Sequence, residues 1–444
     1  MPTSGVADVE DGVFVLVTGA NSGLGYSICC RLADEFLASR QNDNRPLTVI
    51  FTTRSTRKGN DTLRSLQSHL RISVRDPSAA ARVTFIPENA DLCNLLSVRA
   101  LSRRLNKSFP KLDAIILNAG IGGWTGLNWP LAIWSVLTDL VHAVSWPTYK
   151  IAPAGLITDN QTTSVTDKEP RLGTVFCANV FGHYMLAHNV MPLLHRSGSP
   201  NGPGRVIWVS SIEATIKAFD VEDIQGLRSL IPYESSKGLT DILSLTSNLP
   251  RTAPWVKSFY SIPFGTSDDN QTTTSQPPIT YLSHPGICSS SIVPLPTILI
   301  YAMLAATWLA RMLGSPWHTL STYLGACAPV WVALSPQSAL DAAEAPYAAH
   351  GGGKVKWGSS ATRTGAVSPA STETHGWGHG GVVGPAVLDE DRRRRRKRGA
   401  TDLTPGAKER FEELGRRCWA QMEEMRKEWD EILDCEEENV GVKE

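Results

Sequence analysis

The sequence lacks several features that mark secreted or metal-binding proteins. Its eight cysteines form no Cys-x-x-Cys pair and have no cluster of histidines around them, which predicts reduced thiols and no metal site. Residues Met1 to Gly12 are polar and acidic, whereas a secretory signal needs basic residues followed by an apolar stretch. We therefore expect the chain to face the cytosol, with sequons such as Asn160-Gln161-Thr162 unused.

A strong charge of one sign and a long apolar run are also absent. The 43 basic and 43 acidic residues give a formal net charge of zero and a pI near 7.1, so no global charge predicts nucleic acid or an acidic substrate. The longest apolar stretch, Thr297 to Ala310, has 14 residues, fewer than the roughly 20 that a helix needs to cross a bilayer. At 444 residues and 42% hydrophobic content, the chain is large enough for one enzyme domain with extensions.

What is present begins with a strand, a glycine-rich loop and a helix. Val13 to Thr18 is an apolar, β-branched run, and Tyr26 to Leu37 has helical apolar periodicity. Between them, Gly19 permits a tight turn, Gly23 lets the backbone approach a pyrophosphate, and Gly25 allows close packing of helix on strand. A loop of this kind directly after a strand is typical of dinucleotide binding.

Later strands are predicted to alternate with helices, which indicates an α/β fold with a doubly wound parallel sheet, the Rossmann fold. The predicted strands after the first are Leu47 to Thr53, Val83 to Pro87, Ala114 to Leu117, Arg205 to Val209 and Ile279 to Ser283. We divide the chain into a catalytic domain at 1–291, which contains a Trp-rich insertion at 122–171, then an apolar lid or membrane-associating segment at 292–341, a Gly/Ser-rich segment with an Arg-rich run at 342–403, and an amphipathic C-terminal helix at 404–444.

The residues that carry chemistry are a tyrosine and a lysine four positions apart, with a serine upstream. Reducing a ketone requires hydride at carbon and a proton at oxygen, and a phenol is a better acid when a cation stabilises its anion. Lys237 lies at i+4 from Tyr233 on the same predicted helix face and supplies that cation. Ser211 donates a hydrogen bond to the carbonyl oxygen as negative charge develops there. The pattern therefore predicts a ketone or alcohol oxidoreductase.

The end of the second strand bears on the choice of cofactor. An acidic residue there would accept hydrogen bonds from the adenosine ribose, but the strand ends with Thr52-Thr53-Arg54, and Lys58 follows. Arg54 suits a 2′-phosphate, so the sequence favours NADPH. The alternative is that Arg54 is a solvated surface cation.

The combination of motifs resembles the short-chain dehydrogenase/reductase family over residues 13–291. The resemblance implies that Asp91 contacts the adenine, that Asn118, Ala119 and Gly120 flank the ribose, and that Asn179 holds a water in the catalytic set. Ser290 stands where the family usually has a threonine that contacts the nicotinamide amide. The implied cofactor-binding residues are Gly19, Asn21, Ser22, Gly23, Leu24, Gly25, Arg54, Lys58, Asp91, Asn118, Ala119, Gly120, Tyr233, Lys237 and Ser290, and the implied catalytic residues are Asn179, Ser211, Tyr233 and Lys237.

Three departures look like the branch of 3-keto sterol reductases, which includes the fungal ergosterol-pathway enzyme. They are the long interval from Ser211 to Tyr233, the Trp-rich insertion and the run Lys356-Trp357-Gly358-Ser359. The branch implies NADPH-dependent reduction of the 3-ketone left after C4 decarboxylation of a sterol, giving the 3β-hydroxyl. It also implies a sterol substrate, other C4-demethylation enzymes as partners, no nucleic acid, and a location on the endoplasmic reticulum membrane or lipid droplets with the catalytic domain facing the cytosol.

Several segments are open to more than one interpretation. The apolar part of 292–334 is a monotopic or re-entrant element, a transmembrane helix or a soluble lid. Trp124, Trp129 and Trp134 line the pocket, sit at a membrane interface or pack in the core. The basic run Arg392 to Arg398 is a solvated linker, an anionic-lipid contact or a nuclear or RNA signal. The last helix packs on the core, lies on a membrane or binds a partner.

Three hypotheses for function follow from the sequence. The first is an NADPH-dependent 3-keto sterol reductase. The second keeps the same mechanism but takes another lipid or polyketide ketone. The third is a scaffold for sterol enzymes in which catalysis is vestigial, although a pure scaffold has no physical need for all four catalytic side chains.

Overall fold

A sheet of eight strands forms the centre of the protein, which a computed structural model describes over residues 12–40, 43–162, 169–198, 200–217, 219–263, 276–288, 297–394 and 396–441. The strands, counting two small two-stranded sheets, are β1 Val13–Val17, β2 Leu47–Thr53, β3 Val83–Asn89, β4 Ala114–Leu117, β5 Gly126–Leu127, β6 Lys150–Ile151, β7 Arg205–Val209, β8 Ile279–His284, β9 Ile287–Cys288, β10 His318–Leu320, β11 Lys356–Ala361 and β12 Val367–Ser371. The α-helices are α1 Gly23–Ser39, α2 Thr56–Ser73, α3 Pro77–Ala80, α4 Leu95–Ser108, α5 Trp129–Thr138, α6 Leu140–Ser145, α7 Thr174–Phe176, α8 Gly182–Asn189, α9 Met191–His195, α10 Pro232–Leu245, α11 Ala253–Phe259, α12 Thr297–Met312, α13 Thr322–Gly325, α14 Cys327–Leu334, α15 Gln337–Ala348, α16 Asp389–Arg393 and α17 Pro405–Gly441. A π-helical turn at Cys177–Phe181 joins α7 to α8, and Val221–Asp223 is a 3₁₀-helix.

The strand order is β3-β2-β1-β4-β7-β8-β11-β12, and every neighbouring pair is parallel except β11 and β12. Strands β2 and β3 are added on one side of β1, and β4 and the later strands are added on its other side, so the strand order reverses between β1 and β4. In open α/β sheets, ligands bind in the crevice at the carboxyl ends of the strands beside such a switch point. The predicted doubly wound parallel sheet is confirmed, and each predicted strand differs by at most two residues at an end from the observed one.

Helices cover both faces of the sheet, which explains why its central strands read as continuous apolar runs. All five residues of β1 are buried. One core cluster contains residues of α4, α8, α10 and α17, and the other contains residues of α1, α2 and α14. The site at the carboxyl edge therefore stands on a rigid two-sided core.

The sheet continues past the boundary that we placed at residue 291. Strand β11 pairs with β8, with Trp357 opposite Ser283, and β12 returns antiparallel to it. The sequence of this region suggested only a short ordered piece at 354–357. Gly358, Ser359, Ala370 and Ser371 of these strands are nevertheless buried, and Trp377 of the following turn is almost fully enclosed.

The apolar segment after β8 contains two different kinds of helix. Helix α14 belongs to the core and packs against α1, β7, β8 and β11. Helix α12 instead exposes Tyr301, Trp308 and Met312. Within the described ranges, no helix combines the length and apolar character needed to traverse a membrane.

The C-terminal segments are tied to the rest of the chain. The apolar side of α17 is buried in the core cluster and packs on α10 and α11. Of the three alternatives given for this helix, packing on the core is the one that the structure shows.

Arginines of the basic run form ion pairs. These pairs link Arg392 with Asp389, Arg394 with Asp391, Arg396 with Glu373 and Asp402, and Arg398 with Asp139.

Candidate active site

The glycine-rich loop lies between β1 and α1 at the switch point of the sheet. Gly19 and Gly23 have φ of 69° and 59°, a region that favours glycine. A Cβ on Gly19 would lie 2.7 Å from the Ala119 Cβ, and one on Gly25 would lie 2.2 Å from the Gly19 carbonyl oxygen. The first turn of α1 contains no acidic residue. The loop and the helix N-terminus thus form a cradle that suits a pyrophosphate.

A hydroxyl fixes this loop against the strand beside it. The Thr18 Oγ1 accepts hydrogen bonds from the backbone N–H groups of Asn118 at 2.9 Å and Ala119 at 3.0 Å. The Asn118 Nδ2 donates to the carbonyl oxygens of Thr18 at 3.0 Å and Gly19 at 3.3 Å. The structure therefore brings the predicted loop and the predicted ribose-flanking residues into contact.

His183 completes this arrangement and was not predicted from the sequence. Its Nε2 lies 2.8 Å from the Thr18 Oγ1, and its Nδ1 lies 3.3 Å from the Asn179 carbonyl oxygen. Burial lowers the pKa of His183 to about 3, so the ring is neutral and bridges the two groups. No local motif marks this histidine, because its side-chain partner Thr18 lies 165 positions away in the sequence.

Asn179 lies in the π-helical turn, a feature that is frequent at functional sites. Its Oδ1 accepts from the Ile121 N–H at 2.8 Å, and its Nδ2 donates to the Ile121 carbonyl and to the Ser236 Oγ, both at 3.0 Å. A Cβ on Gly120 would lie 2.8 Å from the Asn179 Oδ1. Asn179 thus ties the loop after β4 to the helix that carries Tyr233, while its role in holding a water stays a prediction.

Tyr233, Ser211 and Lys237 meet at the carboxyl end of β7. Ser211 follows the strand, and Tyr233 and Lys237 lie one turn apart in the first part of α10. The Lys237 Nζ donates to the Val209 carbonyl oxygen at 2.7 Å and lies 5.9 Å from the centroid of the Tyr233 ring.

The pKa of Tyr233 is raised in the structure, whereas the sequence argument expected it to be lowered. Burial raises it, the carboxylate of Glu213 raises it further, and the hydrogen bond with Ser211 lowers it. Burial also lowers the pKa of Lys237 to about 8. We expected Lys237 to lower the pKa of Tyr233, but its ammonium group is bonded to a carbonyl and burial is the larger effect.

A charged cluster beside the phenol was also missed by the sequence argument. Lys150 of the Trp-rich insertion forms ion pairs with Glu213 and with Glu234, the latter at 2.7 Å. Its Nζ lies 4.0 Å from the ring centroid of Trp124, and that ring lies 4.8 Å from the Tyr233 ring in an edge-on arrangement. Burial, opposed by Lys150, raises the pKa of Glu213 to about 7. The three charged residues are far apart in sequence and show no joint pattern there.

The tryptophans of the insertion divide between site and surface. Trp124 contacts Tyr233, whereas Trp129 and Trp134 are 45% and 66% exposed. Trp146 is buried, and its indole N–H donates to the Ile212 carbonyl at 3.2 Å. The insertion therefore contributes both to the wall of the site and to an exposed apolar surface.

The residues predicted to select the cofactor lie at the N-terminus of α2. Arg54 and Lys58 are exposed there, and the Ser55 side chain caps the helix by accepting from the Lys58 N–H. A shallow cavity is lined by Lys58 together with Asn21 and Ser22 of the glycine-rich loop. Asp91 lies after β3, and its carboxylate accepts from the Cys93 N–H at 2.9 Å. Ser290 lies outside the described residues.

The residues present fit a nicotinamide dinucleotide. The cradle occupies space that side chains at Gly19 and Gly25 would fill, and it leads along the sheet edge to Tyr233. The structure brings together the loop, Asn118 to Gly120, Asn179, Ser211, Tyr233 and Lys237, and leaves Arg54 and Lys58 at the outer end.

Curated relatives match nearly the whole chain, whereas no family model matches it. The 3-keto-steroid reductase erg27 of Aspergillus fumigatus is 68% identical over 432 residues, 96% of each chain. The 3-keto-steroid reductase ERG27 of Gibberella zeae is 42% identical over 467 aligned positions, 96% of this chain and 95% of that protein. The 3-keto-steroid reductase erg27 of Schizosaccharomyces pombe is 31% identical, over 81% of this chain and 90% of that protein.

Solved structures align with lower similarity. The L-sorbose reductase of Gluconobacter frateurii, solved with NADPH and L-sorbose, has a TM-score of 0.41 and 16% identity over 75% of this chain and 92% of that one. The Pseudomonas aeruginosa RhlG/NADP complex has a TM-score of 0.40 and 17% identity, over 74% of this chain and 93% of that one. Because these scores are below 0.5, family membership rests on the curated relatives.

The sheet, the glycine-rich loop and the meeting of Tyr233, Lys237 and Ser211 define a short-chain dehydrogenase/reductase. The relatives identify the family within this class, because three 3-keto-steroid reductases from different fungi each align with most of the chain. The chain belongs to the 3-keto-steroid reductase family, and the resemblance inferred from the motifs is confirmed.

Proposed function

We propose that this protein reduces a 3-keto sterol to the 3β-hydroxy sterol with NADPH, during C4 demethylation in ergosterol biosynthesis. The observation that carries the proposal is the meeting of the Tyr233 phenol and the Ser211 hydroxyl beside a dinucleotide cradle. The identity of the relatives supports the choice of a steroid ketone, since 68% identity extends over 96% of the chain.

The chain's own residues supply the proton and hold the ketone. The Ser211 hydroxyl and the Tyr233 phenol donate hydrogen bonds to the carbonyl oxygen, and Tyr233 gives up its proton as the oxygen becomes an alkoxide. Lys237, which stays charged below a pKa of about 8, stabilises the phenolate that remains. When bound, the nicotinamide supplies the hydride to the carbonyl carbon.

The preference for NADPH is supported by charge at the outer end of the cradle. Arg54 directly follows β2 and Lys58 comes four positions later, and the first carboxylate after the strand, Asp61, follows both. Both cations are exposed, and Lys58 lines the cavity together with Asn21, Ser22 and Asp61. A 2′-phosphate bound beside Arg54 and Lys58 gains charge-assisted hydrogen bonds.

Membrane association is supported by two exposed apolar surfaces that share a neighbour. Helices α5 and α12 both pack on α6, and they expose tryptophan, isoleucine, leucine and tyrosine side chains. We place these surfaces on the endoplasmic reticulum membrane or a lipid droplet, with the catalytic domain in the cytosol. A sterol then passes from lipid to the site without crossing water.

The proposed partners are other enzymes of C4 demethylation. The chemistry supports this, because a 3-ketone is the product of the decarboxylation step and the substrate of the reduction. Enzymes that share one membrane surface exchange such a poorly soluble intermediate with little loss to water.

The test is NADPH oxidation by the detergent-solubilised protein with a 3-keto sterol, with product analysis. We expect Tyr233→Phe to lower kcat by about 10² to 10⁴, the range for removal of a general acid, with a small change in KM. Tyr260→Phe is the control, because Tyr260 is a partly buried tyrosine whose hydroxyl is hydrogen-bonded to Thr280. Unchanged kcat in Tyr233→Phe, or no 3β-alcohol from the wild type, would contradict the proposal.

A further inference from the structure

A buried ion pair behind the catalytic residues has no part in the mechanism above. Lys356, the first residue of β11, and Asp241 on α10 are 2.6 Å apart, and their side chains are 3% and 2% exposed. The pair joins β11 to α10, the helix that carries Tyr233 and Lys237. Its members are 115 positions apart in the chain.

The pair is bonded directly to the serine loop. The Lys356 Nζ donates to the carbonyl oxygen of Ser211 at 2.7 Å. The second carboxylate oxygen of Asp241 accepts from the Ser210 Oγ at 2.5 Å, and that hydroxyl lies 3.4 Å from the Lys237 carbonyl oxygen. Both residues of the pair therefore hold the backbone from which the Ser211 hydroxyl is presented.

Stability alone does not explain such a pair. Removing two charges from water costs about as much as their attraction returns, so apolar residues of similar size are often as stabilising or more so. A catalytic hydroxyl, in contrast, needs its position fixed to about 0.5 Å.

The pair also sets the charge around Lys237. Asp241 lies one turn beyond Lys237 on the same helix and raises the pKa of that lysine, while Lys356 lowers it. Because Asp241 forms its ion pair with Lys356, the Lys237 ammonium group donates its hydrogen bond to the Val209 carbonyl oxygen and not to the Asp241 carboxylate. Lys237 is thus kept available at the sheet edge.

We propose that Lys356, with Asp241, is a positioning residue for the reduction: it fixes Ser211 through the Ser211 carbonyl and keeps the Asp241 carboxylate from capturing Lys237. The inference rests on the proposed function of the site. It assigns β11 a part in catalysis, although Lys356 does not touch the reacting atoms.

The test uses the full-length variants Lys356→Met, Asp241→Asn and their double variant, with Lys354→Met as control. Lys354 is two positions away and pairs with Glu344, outside the site. In the double variant no buried charge is left unpaired, so we expect thermal stability near wild type but kcat about 10- to 100-fold lower, since a small misplacement of a catalytic group has effects of this size. KM for the sterol should change less than about threefold.

A second readout needs no sterol. NADPH affinity should fall as Lys237 loses its proton, with a midpoint near pH 8 in the wild type. The midpoint should move up in Lys356→Met, where Asp241 is left to interact with Lys237, and down in Asp241→Asn, where only the second cation remains. A pair that does not act on the charge of Lys237 would leave both midpoints where they are in the wild type, and the kcat of the double variant tests the positioning of Ser211.

Two results would overturn the inference. One is wild-type kcat in a stable double variant, and the other is the same midpoint in wild type and both single variants. If the wild type binds NADPH but does not reduce a 3-keto sterol, the proposed function fails, and the midpoints still decide whether Lys356 and Asp241 act on Lys237.

Discussion

At the scale of single residues, the charges around Tyr233 are arranged for a buried site. Glu213 and Glu234 share one cation, Lys150, so the two carboxylates carry one more negative charge than their partner neutralises. Tyr233 and Tyr149 face the same cluster, and Lys397 lies close enough to be affected by it. The raised pKa of Glu213, about 7, follows from burial and this excess of negative charge.

This raised pKa makes stability depend on pH near neutrality. An unfolded glutamate has a pKa of about 4.3, so between about pH 4.5 and 7 the folded state binds more protons and stability falls as pH rises. We expect Glu213→Gln to lose less stability than wild type between pH 5 and 7.5, measured by urea unfolding at each pH. Glu424→Gln, at an exposed carboxylate, should follow wild type; equal pH slopes in wild type and Glu213→Gln would contradict this account.

A second residue-scale expectation concerns the choice of cofactor. If Arg54 binds a 2′-phosphate, Arg54→Ala should raise KM for NADPH by about tenfold, which corresponds to loss of about 1.4 kcal/mol for a charge-assisted hydrogen bond, and leave KM for NADH unchanged. Arg71→Ala is the control, because Arg71 lies in the last turn of α2, the helix that begins just after Arg54. Equal changes for both cofactors would return Arg54 to the role of a solvated cation.

The sequence predicted those site residues that lie within short, recognisable motifs. The glycine-rich loop, Asn118 to Gly120, Ser211 and the pair Tyr233 and Lys237 each lie within a short motif, and the parallel sheet brings the motifs to one edge. Lys150, His183 and Lys356 act through partners 63 to 165 positions away. No spacing in one sequence encodes such contacts, so these residues required the structure.

At the scale of elements, α5 and α12 both expose apolar side chains and both pack on α6. If these surfaces contact lipid, replacing Trp134 and Leu137 by serine should reduce binding to anionic phospholipid vesicles several-fold in a flotation assay, because buried apolar area drives interfacial binding. Ile72→Ser provides the control, since Ile72 is 81% exposed but lies on α2. Equal losses in both variants would show that the α5 surface does not act specifically.

Element prediction was accurate where periodicity is strong and failed where it is weak. The five later strands of the predicted sheet are apolar runs between turns, and α17 has residues at helical spacing, so both were found. Strands β11 and β12 consist largely of Gly, Ser, Ala and Pro, whose small side chains give no alternation. Most of β11 and the end of β12 are buried because β8 and α14 pack beside them. The exposed face of α12 follows from its packing on one side, which hydropathy alone does not reveal.

At the scale of the whole molecule, the C-terminal helix is part of the catalytic core. Trp429 of α17 is 1% exposed and lies in the same apolar cluster as Leu239 of the Tyr233 helix. We expect Trp429→Ala to lower the free energy of unfolding by about 3–5 kcal/mol, the range for deleting a large buried aromatic, measured by urea denaturation. Lys427→Ala, on the exposed side, should stay within about 0.5 kcal/mol of wild type; an equal, small loss in both would mean that α17 is not cooperative with the core.

The packing of α17 on α10 also bears on how the protein is made. Domains generally begin to fold from the N-terminus during translation, and α17 follows every strand in chain order. Until it leaves the ribosome, the apolar side of the Tyr233 helix has no cover, and the nascent chain presents a surface that attracts chaperones. We therefore expect the Tyr233 helix to gain its full apolar cover late, after α17 has been synthesised.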